Sequence, residues 1–184
     1  MLVFILCSTN DIMITYFTDN FNNNYQTIYD KLNNDSSVSA LQCPCGYKGH
    51  LIRYGFYSRN IKTSSGLIKL RIQRVKCKIC GHTHAILLSC MIPYSQVLLK
   101  DTLSIIQSTS FEELKDIMIS NQLIDEANIS YIKRQFHKHW KQKLLSENIK
   151  FDDSLVFQCF FHYNKQFMQI KRTKNILSYH TNIT

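Results

Sequence analysis

The hydrophobic pattern changes period near the middle of the chain. Ile52, Tyr54 and Phe56 alternate with Arg53, Gly55 and Tyr57, and Ile68, Leu70 and Ile72 alternate with Lys69, Arg71 and Gln73. A period of two puts successive side chains on opposite faces of a strand, so this region predicts two strands. Lys62-Thr63-Ser64-Ser65-Gly66 supplies the turn that joins them into a hairpin. After Pro93-Tyr94 the spacing lengthens. Leu99, Leu103 and Ile106 fall at i, i+4 and i+7, one face of a helix.

Two further helices follow. Ser110 with Glu113 three residues on is a capping-box signature, and Phe111, Leu114, Ile117 and Met118 give the helix behind it an apolar face. Asp125 and Glu126 suit the positive start of a third helix, whose stripe is Ile129, Ile132, Phe136, Trp140 and Leu144. Ahead of the hairpin, the Asn-rich stretch Asn20 to Asn34 reads as a loose helix around Tyr25, Ile28 and Leu32, or as partly disordered. Ser36 to Ser39 reads as a linker. No internal repeat is visible. The expected class is α+β, a small β-hairpin module followed by a helical bundle. Its segments are an N-terminal extension over 1–40, the hairpin module over 41–94, the helical region over 95–150 and a C-terminal segment over 151–184.

Composition narrows this picture. Of 184 residues 45% are hydrophobic, enough for a packed core, and 5 Gly with 2 Pro exclude a fibrous or low-complexity chain. The longest early apolar run, Leu2 to Cys7, has six residues and no basic flank. That is too short for a signal segment or a membrane span. The reading is therefore a cytoplasmic protein with reduced thiols and no membrane partner.

The formal net charge of +9 is unevenly placed. Residues 43–100 hold ten Lys or Arg and no acid, residues 101–126 hold six acids against Lys115, and residues 127–150 hold six basic residues against Glu147. Two positive blocks separated by a negative one favour polyanionic partners over a merely solvated surface.

Cys43-Pro44-Cys45-Gly46 and Cys77-Lys78-Ile79-Cys80-Gly81 carry the chemistry. Paired thiolates on tight turns, each followed by Gly, are the form of zinc knuckles. The first pair has Pro44 alone between its cysteines, where a usual knuckle leaves two residues. Cys43, Cys45, Cys77 and Cys80 are the expected Zn2+ ligands, with His50 and His82 in reserve. Buried apolar thiols and a redox pair are the weaker readings, the latter because no alternation of strands and helices surrounds Cys77. A hairpin this small buries too little to stand alone, and a metal at its base would supply the missing stability. Its outer face would show Arg53, Arg59, Lys69, Arg71 and Arg74 with Tyr57, while Tyr54 and Phe56 are read as packing the hairpin. Basic groups interleaved with aromatics suit phosphates and exposed bases.

The third helix is basic opposite its stripe. Three helices, the last basic outside and aromatic inside, resemble a helix-turn-helix unit. Its recognition helix would offer Ser130, Arg134, His137, Lys138 and Lys141 to a DNA groove, with Lys133 at the edge. A plain helical bundle with a basic face is the alternative.

Several segments together resemble a known family. They are Cys43-Pro44-Cys45-Gly46, Arg53-Tyr54-Gly55-Phe56-Tyr57-Ser58-Arg59, Arg74-Val75-Lys76-Cys77-Lys78-Ile79-Cys80-Gly81, Thr83-His84-Ala85 and Pro93-Tyr94-Ser95. They look like a family of transposase-like bacterial proteins catalogued as a domain of unknown function. The resemblance implies a zinc ribbon followed by a helix-turn-helix-like region, as in the DNA-binding front end of some insertion-sequence transposases. It implies no activity.

No complete catalytic constellation appears. A transposase of the acidic-triad type needs three carboxylates on a large fold, and the 34 residues of 151–184 hold only Asp152 and Asp153 as acids. Cys159 is read as buried beside Phe157, Phe160 and Phe161. The expectation is a non-enzymatic, zinc-stabilised nucleic-acid-binding protein, with duplex DNA first and RNA second. The alternative is a protein-interaction adaptor in which zinc serves only the fold.

Overall fold

The expected hairpin is present and longer than its alternation suggested. In the computed structural model, which describes residues 5–7, 13–16, 24–35, 37–43 and 45–170, the elements are as follows. Strands β1 (Ile5–Cys7) and β2 (Met13–Tyr16) precede helix α1 (Tyr25–Asp35) and a 3-10 turn (Val38–Ala40). Strands β3 (Leu51–Thr63), β4 (Gly66–Cys77) and β5 (Thr83–Leu88) follow. Helices α2 (Leu99–Gln107), α3 (Phe111–Ser120), α4 (Glu126–His139), α5 (Lys141–Ser146) and α6 (Leu155–Tyr163) complete the order. Pro44, Ser36 of the expected linker and the segment from Lys171 onward lie outside the described residues.

The fold is α+β. β3, β4 and β5 form an antiparallel sheet, extended by β2, which runs parallel to β5, and then by β1. Ser64 and Ser65 turn the hairpin, and Gly66 takes φ 119°, open to a residue without Cβ. β5 escaped the period-two reading because Ala85 to Leu88 is a continuous apolar run. Such a run belongs to a strand flanked on both edges, and Ile86, Leu87 and Leu88 are fully buried.

One bulge corrects the expected hairpin faces. Arg53 pairs Val75, but Phe56 pairs Gln73, so β3 holds one extra residue around Gly55. An extra residue inverts the alternation beyond it. At the same level of β4 the buried positions change from Leu70 and Ile72 to Gln73, Val75 and Cys77. Tyr54 and Phe56, expected to pack the hairpin, are 49% and 40% exposed. Arg59, expected outside, is turned inward and half-buried.

Helix α1 makes residues 25–34 of the Asn-rich stretch helical, residues 20–23 lying outside the described ones, and Tyr29 fixes the helix to the sheet. The Tyr29 hydroxyl accepts from Gln73 N at 2.7 Å and donates to Ile86 O at 3.0 Å. It sits beyond the last β4–β5 partners, Arg74 and Ala85, where the strands part. A phenol thus replaces the next rung of the ladder.

The helices enclose a second cluster around Ile105, Ile132, Phe136, Trp140 and Phe167. The capping box is formed, Glu113 N to Ser110 Oγ at 3.2 Å and Ser110 N to Glu113 Oε2 at 3.3 Å. Asp125 caps α4, accepting from Asn128 N at 2.7 Å. Phe111, expected on the apolar face of α3, is 66% exposed. Leu114, Ile117 and Met118 make the contact instead. The expected third helix is two helices, with Trp140 at φ −123° as the joint. Trp140 is 1% exposed, so the distortion seats the indole against Tyr163 and Phe167. Cys159 and Phe160 are buried as expected, but Phe157 and Phe161 lie on the opposite, outer side of α6. Gln166, in a segment without a nameable motif, is fully buried and donates to Ser89 O and Met91 O at 2.8 and 2.9 Å. Lys62 Nζ reaches Leu123 O and Asn128 Oδ1. These bonds join the helical cluster to the sheet.

Candidate metal centre and basic surfaces

Two turns bring four thiols to one point at the base of the hairpin. In the first, Gly46 N donates to Cys43 O at 2.8 Å and Cys43 N to Tyr47 O at 2.9 Å. In the second, Gly81 N donates to Cys77 O and Cys77 N to His82 O, both at 3.0 Å. Gly46 and Gly81 take φ 95° and 73°, the left-handed conformation that lets the chain double back after each pair. Lys78 N donates to His50 O at 2.9 Å, which ties the second turn to the start of β3.

The sulfur atoms of Cys43, Cys45, Cys77 and Cys80 all lie within 4.8 Å of one another. Cys43 and Cys80 are 3.7 Å apart, and Cys45 and Cys77 are 3.8 Å apart. A disulfide would require about 2.05 Å. A tetrahedral ion with bonds of about 2.3 Å to thiolates separates its sulfurs by about 3.8 Å. The spacing fits a four-thiolate metal centre and excludes cross-links. His50 and His82, held in reserve as ligands, are not among the clustered donors; both contribute backbone carbonyls instead.

The thiols are unequal. Burial pushes Cys77 up, but the backbone N–H groups of Cys80 and Ile79 outweigh it and hold the thiol at about 7. Cys43 is raised, chiefly by its burial. A cation would favour the deprotonated form of every ligand.

His84 is the residue that spacing did not reveal. It is 2% exposed on β5, and its Nε2 lies 3.3 Å from Cys43 Sγ. With Cys43 as a thiolate, Nε2–H donates to sulfur, and Nδ1 keeps its lone pair without a partner. The available signal was its place at the start of β5, two residues before the buried Ile86 and on the same side of the strand.

The basic residues divide by environment. Arg53 donates to Gln73 Oε1 at 3.2 Å and to Asn33 O at 2.7 Å. Arg59 donates to Ile92 O and Ser95 O, and burial lowers its pKa. Both are engaged by the protein. Lys69 and Arg71 are exposed, and Arg71 lies 4.1 Å from the centre of the Phe56 ring. Arg74 is half-buried, 5.8 Å from Tyr54. On α4, Ser130, Arg134, His137 and Lys138 are all exposed, and Lys141 continues the exposed set on α5. Arg134 lies 5.9 Å from the Tyr131 ring. Lys133 instead donates to Ser108 O at 3.2 Å and anchors α4 to the end of α2.

Residues 43–122 match a family model described as Domain of unknown function (DUF6431). The matched span begins at the first thiol. It takes in β3 to β5, all four clustered cysteines, α2 and α3, and stops before α4. No curated protein and no solved structure matches the chain. Among the described residues, no helix is long and apolar enough to cross a membrane.

Proposed function

We propose that the chain is a zinc-stabilised nucleic-acid-binding protein, with duplex DNA as its ligand. The observation that carries the reading is the row of exposed polar and basic side chains on α4 and α5, which among the described residues pair with no acid. Ser130, Arg134, His137, Lys138 and Lys141 are the contacts, in the manner of a recognition helix. The acidic α3, with Glu112, Glu113 and Asp116, is its supporting partner, away from phosphates. The resemblance to transposase-like proteins agrees with this role, as a recognition portion without a catalytic domain.

Zinc is the metal proposed for the four thiolates. Tetrahedral sulfur coordination suits zinc or iron, and elemental analysis separates them. Here the metal's task is to hold the hairpin base, with about one ion per chain.

The test is a duplex-binding titration across salt concentrations. About six phosphate contacts give a log–log slope of about −5. A slope near zero would sink the reading and leave the adaptor, in which zinc serves only the fold. A second reading, single-stranded RNA, has its own observation. Tyr54 and Phe56 are exposed, with Arg71, Arg74 and Lys76 over their rings, an arrangement suited to stacking bases. Competition between duplex DNA and single-stranded RNA ranks the two.

A further inference from the structure

One cleft combines positive charge with an unsatisfied donor. It lies along β3, β4 and β5 beneath the loop Tyr94–Gln96 and has a volume of about 660 Å³. Its cations are Arg59, Lys69 and Arg74, and no carboxylate lines it. Among the described residues, none of the three is within ion-pair distance of an acid. Arg74 Nε is fully removed from solvent and meets no acceptor.

A desolvated guanidinium N–H with no acceptor is an expense that packing alone does not explain. The roof of the cleft is held with similar specificity. Arg59 clamps the loop by its bonds to Ile92 O and Ser95 O. Within that loop Tyr94 takes φ 63°, a left-handed conformation unusual for a bulky residue. Ser58, Asn60 and Ser95 add neutral polar groups to the lining.

We infer that this cleft is a phosphoryl-binding site, in which Arg74 takes the phosphate oxygens, Lys69 adds positive charge to the lining and Arg59 positions the roof. Arg74 is suited to the main contact because its planar guanidinium can present its two terminal nitrogens to two oxygens at once. The volume admits a phosphate with its attached sugar, not the anion alone. The inference deepens the nucleic-acid reading and rests on it for the source, a phosphodiester of the bound strand. A free phosphate monoester is the other source of the same chemistry.

The experiment uses the full-length, metal-loaded chain and three probes: inorganic phosphate, adenosine 5′-monophosphate and a short duplex. The variants are Arg74→Gln, Arg74→Lys and Lys69→Gln. Metal content and circular dichroism check each fold. Wild type should bind a phosphate-bearing probe saturably, and Arg74→Gln should weaken that binding about tenfold or more. Arg74→Lys should recover only part of the loss, because an ammonium is not a fork. Lys69→Gln should reduce the duplex salt slope by about 1. If Arg74→Gln loses its fold, Lys69→Gln decides alone, since Lys69 is exposed.

Duplex binding with the same affinity and slope in wild type and all folded variants overturns the cleft and leaves the nucleic-acid reading standing. Binding of phosphate or the monophosphate that Arg74→Gln abolishes, with no duplex binding, supports the cleft with a monoester and removes the nucleic-acid reading. Failure of wild type to bind any probe overturns both.

Discussion

His84 Nε2 lies 3.3 Å from Cys43 Sγ, inside the core and beside the four-thiol cluster. An imidazole N–H aimed at a thiolate fixes the sulfur's direction and stabilises its charge. His84→Ala should therefore lower metal affinity by about 10- to 100-fold. His82→Ala, at an exposed position that contributes only a backbone carbonyl, should leave it unchanged. Competition with a chromophoric chelator measures both. Equal affinities in the two variants would reduce the His84 contact to packing.

Removing the metal should release a defined set of thiols. Cys43, Cys45, Cys77 and Cys80 are brought together at the hairpin base. Cys90 and Cys159 are buried and pushed up to about 12 by desolvation, so they hold no useful thiolate at neutral pH. Chelation should expose the first four to a thiol reagent while Cys90 and Cys159 remain slow. Cys77→Ser should prevent stoichiometric metal loading and unfold the hairpin base, since structural zinc contributes roughly 10 kcal/mol or more in small sites. Metal-loaded Cys77→Ser with an intact sheet spectrum would contradict this.

Tyr29 offers a test of the sheet that is independent of the metal. Its hydroxyl satisfies Gln73 N and Ile86 O, both deep in the molecule, and Tyr29 itself is fully buried. Tyr29→Phe keeps the ring and leaves both backbone groups without that partner. The expected cost is about 1–3 kcal/mol, read from denaturant unfolding at unchanged m. A variant as stable as wild type would mean that water takes the place of the phenol.

What the sequence disclosed depended on whether local or distant physics decided the outcome. The Ser110–Glu113 cap, the Asp125 cap and the four-thiol cluster are set by residues near one another in sequence or by metal-ligand spacing, and all were legible. The outward position of Tyr54 and Phe56 was not. β3 is the edge strand and all of residues 52–56 are exposed around the bulge at Gly55, and alternation of residue types cannot report which part of a strand the rest of the fold covers. β5 was missed because burial from both sides removes the polar half of its pattern. The break at Trp140 was missed because the apolar stripe runs through it. Gln166 carries no motif, and its role appears only when Ser89 and Met91, far away in sequence, are placed against it. Among the site residues, Arg53 is exposed as its type suggests, but the partners of Arg53 and Arg59, backbone carbonyls and a glutamine, are supplied only by folding.

The exposed face of α4 predicts a separation of binding from stability. Among the described residues Arg134 and Lys138 pair with no acid, and both side chains face solvent. Arg134→Ala with Lys138→Ala should leave metal content and unfolding midpoint unchanged, because surface changes of this kind stay within about 0.5 kcal/mol. Duplex affinity should fall across all sequences, with a salt slope shallower by about 2 for two lost phosphate contacts. Unchanged affinity would shift the contact surface to the hairpin.

The cap of α3 predicts both a mutational and a pH effect. Thr109 N and Ser110 N donate to Glu113 Oε2 at 2.6 and 3.3 Å and hold this carboxyl below the usual carboxylate range. The folded chain therefore binds Glu113's proton less readily than the unfolded chain does. Its contribution is complete above the ordinary glutamate pKa and is lost as pH falls through the lower, folded value. Acid should fray the start of α3 in that window, and Glu113→Gln should remove the pH dependence there while keeping a side chain that can still accept from Ser110 N. Ser110→Ala should cost about 1 kcal/mol at neutral pH by leaving Glu113 N without its cap. Amide exchange at Thr109, Ser110 and Glu113, followed against pH in wild type and both variants, separates the two halves of the box. Exchange rates at these amides, corrected for intrinsic pH dependence, that stay flat through the acid window in wild type would contradict the assignment.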